Sequence, residues 1–267
     1  MSDGQRRGGA GGRRAAAVLC ALLLAALAAG MARAEVVQKG TLRVSFSGKL
    51  SPTALPREGA APIAVSVGGQ ITTTDGSAPP QLRRVLLAIN RNGHLDYSGL
   101  PACELEQIQP STNKGALEAC QASLVGEGSF SANVKLGQQA PFPSEGKVLA
   151  FNGTLKGRPV LLAHVYGTDP VPTSYTLPFT IKSTKGTYGT LLQASLPQVT
   201  SDWGFVTGLE LDLKRRFSAG GKAHSYLSAG CPAPKGFPGA VFPLVRASFA
   251  FANRTMTSTL NRSCKAR

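Results

Sequence analysis

The sequence predicts an all-β fold: an antiparallel β-sandwich, immunoglobulin-like or jelly-roll-like, with about a dozen strands and one short helix. The first observation is strict alternation. Tyr175, Leu177, Phe179 and Ile181 alternate with Ser174, Thr176, Pro178 and Thr180, and Leu209, Leu211 and Leu213 alternate with Glu210, Asp212 and Lys214. A period of two puts one set of side chains in a core and the other in water. The second is punctuation by turn chemistry, at Lys156-Gly157-Arg158-Pro159, Asp169-Pro170-Val171-Pro172 and Ser183-Thr184-Lys185-Gly186. The third is that helical spacing occurs in one place only, between Cys103 and Cys120.

The chain opens with a targeting pattern, residues 1–34. Arg6, Arg7, Arg13 and Arg14 precede an apolar run from Ala15 to Met31, and Ala32-Arg33-Ala34 is a small-x-small cleavage site. Cleavage there starts the remaining 233 residues at Glu35 as a single β-sandwich domain, 35–267, with no transmembrane segment. Cys20 lies inside the apolar run rather than at its end, which argues against lipid attachment.

Strand signals then follow in order. Leu42, Val44 and Phe46 alternate, as do Ile63, Val65 and Val67, which run into Gly68-Gly69, read as a bulge or tight bend. The continuous apolar run Val85 to Ile89 predicts a central strand covered on both faces. Asn92-Gly93 predicts a hairpin returning through His94 to Tyr97. Ser111 or Thr112 can cap a helix of a turn or two through Ala116, Leu117, Ala119 and Cys120, weakened by Gly115. Strands resume at Phe130 to Leu136, Leu149 and Phe151, and the buried-looking Val160 to Val165. Beyond the two alternating runs, Ser218 to Lys222 reads as a glycine-rich loop and Tyr226 to Cys231 as a short apolar segment. Val245, Ala247, Phe249 and Phe251 alternate, and Thr255 to Leu260 is placed to pair with them as a hairpin.

Cys103, Cys120, Cys231 and Cys264 remain after cleavage, and an even number in an exported chain predicts two disulfides. Of three possible pairings the sequence-local one is preferred, Cys103–Cys120 and Cys231–Cys264, because each closes its own unit. Zinc is not expected, since no CxxC pair or histidine stands at ligand spacing. Charge points outward. The whole chain carries a formal +15; five Arg and one Asp leave with the signal, so the remainder carries +11. Such a surface favours an anionic cell-envelope polymer or polysaccharide as partner. Lys214, Arg215 and Arg216 are the densest run after the signal, and Arg246, Arg262, Lys265 and Arg267 add to it if their strands are neighbours. Arg246 is expected on one outward face with Leu244 and Ser248. The competing reading of these cations is protection of a sheet edge.

No catalytic, metal, cofactor or specific nucleic-acid motif stands out. His94, His164 and His224 lack a nucleophile turn such as G-x-S-x-G, and His164 reads as a core residue. Among the carboxylates Glu210 and Asp212 share a strand face, as does Lys214, which marks a solvated face more than a catalytic pair. Trp203 reads as a core anchor. Asn152, Asn253 and Asn261 begin glycosylation-type tripeptides. The phrases Thr187-Tyr188-Gly189-Thr190, Trp203-Gly204-Phe205-Val206-Thr207-Gly208 and Tyr226-Leu227-Ser228-Ala229-Gly230-Cys231-Pro232 resemble exported β-rich proteins of actinobacterial type whose role is unassigned. That resemblance implies export and brings no active site. The expectation is a non-enzymatic secreted or envelope protein that binds through its β-surface. The alternative is a polysaccharide hydrolase or lyase on the same scaffold, which a groove with facing carboxylates would favour.

Overall fold

Alternation along the chain is realised as one large sheet that curls on itself. The computed structural model describes residues 34–135, 139–168, 172–196 and 204–267. The targeting pattern, Leu136, Asp169, Asp202 and Trp203 lie outside the described residues. In chain order the strands begin with β1 (Glu35–Lys39), β2 (Leu42–Ser51), β3 (Ala54–Leu55), β4 (Ala61–Pro62), β5 (Ala64–Thr73), β6 (Leu82–Asn90), β7 (Gly93–Leu95) and β8 (Cys103–Glu104). Two short helices follow, α1 (Leu105–Ile108) and α2 (Asn113–Cys120). Next come β9 (Leu124–Val134), β10 (Phe142–Leu155), β11 (Arg158–Gly167), β12 (Thr173–Ser183), β13 (Tyr188–Ser195) and β14 (Gly204–Leu213). The chain finishes with β15 (Arg216–Ala219), β16 (Lys222–Ser225), β17 (Leu227–Ala229), β18 (Gly239–Phe251) and β19 (Thr255–Ala266).

The main sheet runs β1-β2-β5-β14-β9-β10-β11-β12-β13-β6-β18-β19-β3, with β8 added beside β10. It is mixed, not purely antiparallel as expected. Residues Lys265 and Ala266 of β19 pair in parallel with β3, and Gly153 and Thr154 of β10 pair in parallel with β8. Both short strands pair with strands far away in sequence, so no tight hairpin dictates their direction. Each also lies beside a disulfide cysteine. Cys103 joins Cys120 and Cys231 joins Cys264, with Cα atoms 5.6 and 5.7 Å apart, which is the expected pairing.

The core fills the inside of the curl. Leu42, Val44 and Phe46 of β2 belong to the same buried cluster as Leu244, Phe249, Met256 and Leu260 of β18 and β19. Phe46 meets Phe249 edge to face at 6.0 Å between centroids, so β2 and β18, from opposite ends of the sheet order, meet in the core. A second cluster lies on the outside of β10 and β11, where Leu149, Phe151, Val160 and Leu162 are covered by Ile108 and Ala116 of the helices. These two strands are therefore buried on both faces along this stretch, and the buried-looking run from Val160 lies in it. β6 is not, although it is central: Val85, Leu87 and Ile89 pack on the core, while Leu86 stays half-exposed on the outside. The helix cap is Thr112, whose Oγ1 accepts from Gly115 N at 3.1 Å. Gly115 fits because a Cβ there would come within 2.5 Å of Ser111 Oγ.

Two local expectations are corrected. Gly68-Gly69 makes neither bulge nor bend, and β5 runs straight through it in register with both β2 and β14. His94 does not return beside β6. β7 instead joins β4 and β17 in a separate three-stranded sheet, held by pairs such as Leu227↔Leu95 and Ser228↔Pro62. Loops at that end are tied down by Arg57, whose guanidinium donates to the carbonyls of Ala233, Pro234 and Phe237 at 2.8, 2.5 and 2.8 Å. Buried Asn152 donates from Nδ2 to Leu100 O and Pro101 O at 3.4 and 3.1 Å, so its glycosylation-type tripeptide is spent on an internal clamp.

The two ends of the sheet meet without a ladder. Arg262 of β19 donates from Nε to Gly48 O of β2 at 2.7 Å, and its Nη1 lies 3.9 Å from Glu35 Oε1 of β1. Gly48 is required there, since a Cβ would meet Leu260 Cδ2 at 2.7 Å. Arg254 adds a second tie, donating to Lys39 O at 2.9 Å. Arg262→Ala is expected to lower the unfolding free energy by about 2 kcal/mol, because a charge-assisted bond is lost from a half-buried site. Lys265→Ala, at an exposed position, is expected to leave it unchanged; denaturant titration of both variants checks the difference.

Candidate functional site

The predicted basic residues are spread over separate parts of the sheet. Lys214 and Arg216 are exposed just after β14, and Arg215 between them is half-buried, with Nη2 donating to Ala122 O at 3.3 Å. β14 sits between β5 and β9, and seven ladders separate it from β18 in the sheet order. Arg246 therefore does not adjoin the 214–216 tip. It is exposed on β18 with its guanidinium 5.0 Å above the Tyr188 ring. Leu244 does not share its face: a register shift between Pro243 and Val245 turns Leu244 into the core. Arg262 belongs to the seam, where burial lowers its pKa against the opposing pull of Glu35. Lys265 and Arg267 are exposed at the chain end beside β3.

A feature the sequence left unremarked lies on the outer face of β2, β5, β14, β9 and β10. Cross-strand pairing aligns Ser45, Gln70, Gly208, Ser131 and Glu145 in one row, and Ser47, Gly68, Glu210, Ser129 and Lys147 in the next. Paired residues point the same way, so this is a shelf of small polar side chains. It floors an open groove of about 670 Å³. Glu145 and Glu210 are both exposed on the same face, in adjacent rows on β10 and β14 with β9 between them. In the following row Asp212 pairs with Glu127. Glu145 escaped the sequence reading because only the register of β9 and β10 brings it to β14.

The other half of the sheet has the opposite balance. β12, β13, β6, β18 and β19 contain Lys182, Arg83, Arg84, Arg246, Arg262 and Lys265, six cations without one carboxylate. β1, β2, β5, β14, β9 and β10 carry five carboxylates against four cations. The signal for this was in the sequence as an absence, since no Asp or Glu follows Asp212.

The histidines divide between solvent and core. His224 Nδ1 lies 3.1 Å from Asp96 Oδ2, both about a third exposed, and the imidazole stacks on Phe217 at 5.3 Å. This pair docks the β15–β16 hairpin on the loop after β7; Ser225, the nearest serine in sequence, gives its hydroxyl to Arg215 O instead. His164 is wholly buried on β11, with Nδ1 3.0 Å from Thr176 Oγ1 and no protein partner at Nε2, and burial lowers its pKa. Among the described residues no group of His, Cys, Asp and Glu is placed to hold a metal ion, and no helix is long and apolar enough to cross a membrane. The chain matches no protein-family model, no curated protein and no solved structure.

His164 gives the pH dependence a sign. Its folded pKa is lowered, while an unfolded histidine titrates near about 6.5. Between these values the unfolded chain binds more protons, so stability rises with pH through that window and is lost as pH falls through it. The wild-type melting temperature is expected to fall on acidification below about pH 6.5. His164→Gln, which keeps a hydrogen-bonding group but does not titrate, is expected to flatten that part of the profile; thermal melts across the window check it.

Proposed function

We propose that this chain is an exported, non-enzymatic β-protein of the cell surface or envelope that works by binding an anionic partner, and that the halves of its curled sheet face each other as a sandwich. The single observation that carries the binding reading is the segregation of charge, with six cations in the strands of one half of the sheet, Arg262 among them engaged with Glu35 at the seam, and no carboxylate in those strands. A field of one sign over a broad surface concentrates partners of the other sign without any pocket. Support for export comes from the targeting pattern and from two disulfides, which persist in oxidising compartments. The sandwich reading draws on the Phe46–Phe249 contact across the core.

One observation favours the second reading, a polysaccharide-active enzyme: the groove carries Glu145 and Glu210. Glycoside chemistry needs two carboxyl groups on opposite sides of a bond held between them. Here both stand in solvent on the same side, which leaves no enclosed space between them. Incubation of residues 35–267 with soluble glycans is expected to give no new reducing ends or unsaturated products. The same protein is expected to stay with isolated envelopes at low salt and to leave as salt shortens the screening length from about 10 Å at 0.1 M to about 3 Å at 1 M. Turnover abolished by Glu145→Gln or Glu210→Gln would instead establish the enzyme.

A further inference from the structure

We infer that the anionic partner is a linear acidic glycan, carrying carboxylate or phosphodiester groups, and that it lies across the outer face of β12, β13, β6, β18 and β19 and not on the 214–216 tip. This rests on the envelope-binding reading and adds the surface and the ligand class. Register builds the face. One row runs Lys182, Leu191, Ala88, Arg246 and Thr259, and the next runs Thr180, Gln193, Leu86, Ser248 and Thr257. A third carries Ser195, Arg84, Ala250 and Thr255. Arg84, Lys182 and Arg246 are exposed.

Geometry sets the spacing of these cations. Lys182 and Arg246 are three strand spacings apart, about 14 Å, and Arg84 is four residues along β6 from the partner of Arg246, again about 14 Å. Such a triangle is too wide for one small anion. It suits a chain that meets successive cations, with charge repeated along its length. Between the cations stand Thr180, Gln193, Ser248, Thr255 and Thr257, donors and acceptors for sugar hydroxyls. Two of these, Ser248 and Thr257, already bond each other at 3.1 Å, which fixes their hydroxyls on the surface. Arg84 and Arg246 present planar forks matched to carboxylate and phosphate oxygens.

The same face is poorly suited to other polyanions. Single-stranded nucleic acid is held by stacking on exposed aromatics, and the aromatic beside this row, Tyr188, is covered by Arg246. A membrane surface calls for exposed apolar or aromatic side chains that enter the headgroup layer, whereas the apolar residues of these rows, Leu191, Ala88 and Leu86, are half-buried or buried among threonine, serine and glutamine. The tip is a weaker candidate because Arg215 is committed to Ala122 O and Asp212 stands on the adjoining strand end.

The test uses residues 35–267 against polygalacturonate, a glycerol-phosphate polymer, dextran and phosphatidylglycerol vesicles, with binding measured over a salt series. Binding is expected to one or both acidic polymers and not to dextran. The triple change Arg84→Ser, Lys182→Ser, Arg246→Ser is expected to raise Kd about tenfold or more and to reduce the salt dependence, while Lys214→Ser, Arg215→Ser, Arg216→Ser leaves both nearly unchanged. Lys182→Glu alone should weaken binding in the same direction, and unchanged melting temperatures would show that the variants fold. Which acidic polymer binds separates carboxylate from phosphodiester sources. Loss at the tip with retention on the face overturns this surface but leaves the envelope reading standing. Preference for vesicles over both polymers overturns the glycan class. Equal binding of dextran overturns the charge-based reading itself.

Discussion

The fold depends on how a sheet this long disposes of its two ends. Its order begins at β1 and finishes at β19 and β3, and no backbone ladder closes the circuit. Side chains do the joining. Arg262 reaches Gly48 and Glu35, Arg254 reaches Lys39, and Leu260 occupies the space that Gly48 leaves open. An unpaired edge invites pairing with other chains. Here the first strand is shielded by β19, and the end of β19 is paired with β3. The interior then closes around Phe46 and Phe249, and both large faces are left free on the outside.

Those outer faces are what the molecule offers to its surroundings, and they differ in kind. The half built from β2, β5, β14, β9 and β10 is small-residued, hydroxyl-rich and of mixed charge. The strands β12, β13, β6, β18 and β19 carry cations and no carboxylate of their own. The helices cover only the end of the first half nearest β11, at Leu149 and Phe151 of β10, together with Val160 and Leu162 of β11. The excursion from Cys103 to Cys120 is thus an inserted lid over an otherwise exposed apolar stripe, and its disulfide compensates for helices too short to be stable alone.

Much of the fold was legible because period-two alternation is a local signal. The strands at Tyr175 to Ile181, Leu209 to Leu213 and Val245 to Phe251 were readable for that reason, as were a cap at Ser111 or Thr112, which the structure places on Thr112, and a buried run beginning at Val160. The two-sided cover read for Val85 to Ile89 belongs to β10 and β11 instead. Gly68-Gly69 misled because glycine is permitted in a bulge but does not require one, and in-register neighbours on both sides kept β5 straight. Asn92-Gly93 misled because a hairpin also needs a partner edge, and β6 already has β13 and β18. The candidate surfaces were less legible still. Glu145 and Glu210, or Lys182 and Arg246, come from distant parts of the chain, and only strand order and register decide which of them share a face. The expected union of the 214–216 run with the C-terminal cations required β14 to neighbour β18 or β19, and no local pattern speaks to that.

The seam has a consequence for how the molecule is made. A chain synthesised or threaded from its N-terminus presents β1 and β2 first, yet the groups that complete them, Arg254, Leu260 and Arg262, arrive among the last residues. Cys231 likewise waits for Cys264. Until then β2 has its apolar side, Leu42, Val44 and Phe46, without the strands that bury it. Early segments must therefore wait, unclosed, until nearly the whole chain has been made. Such a chain closes its seam in one late step, after nearly all of its strands are available.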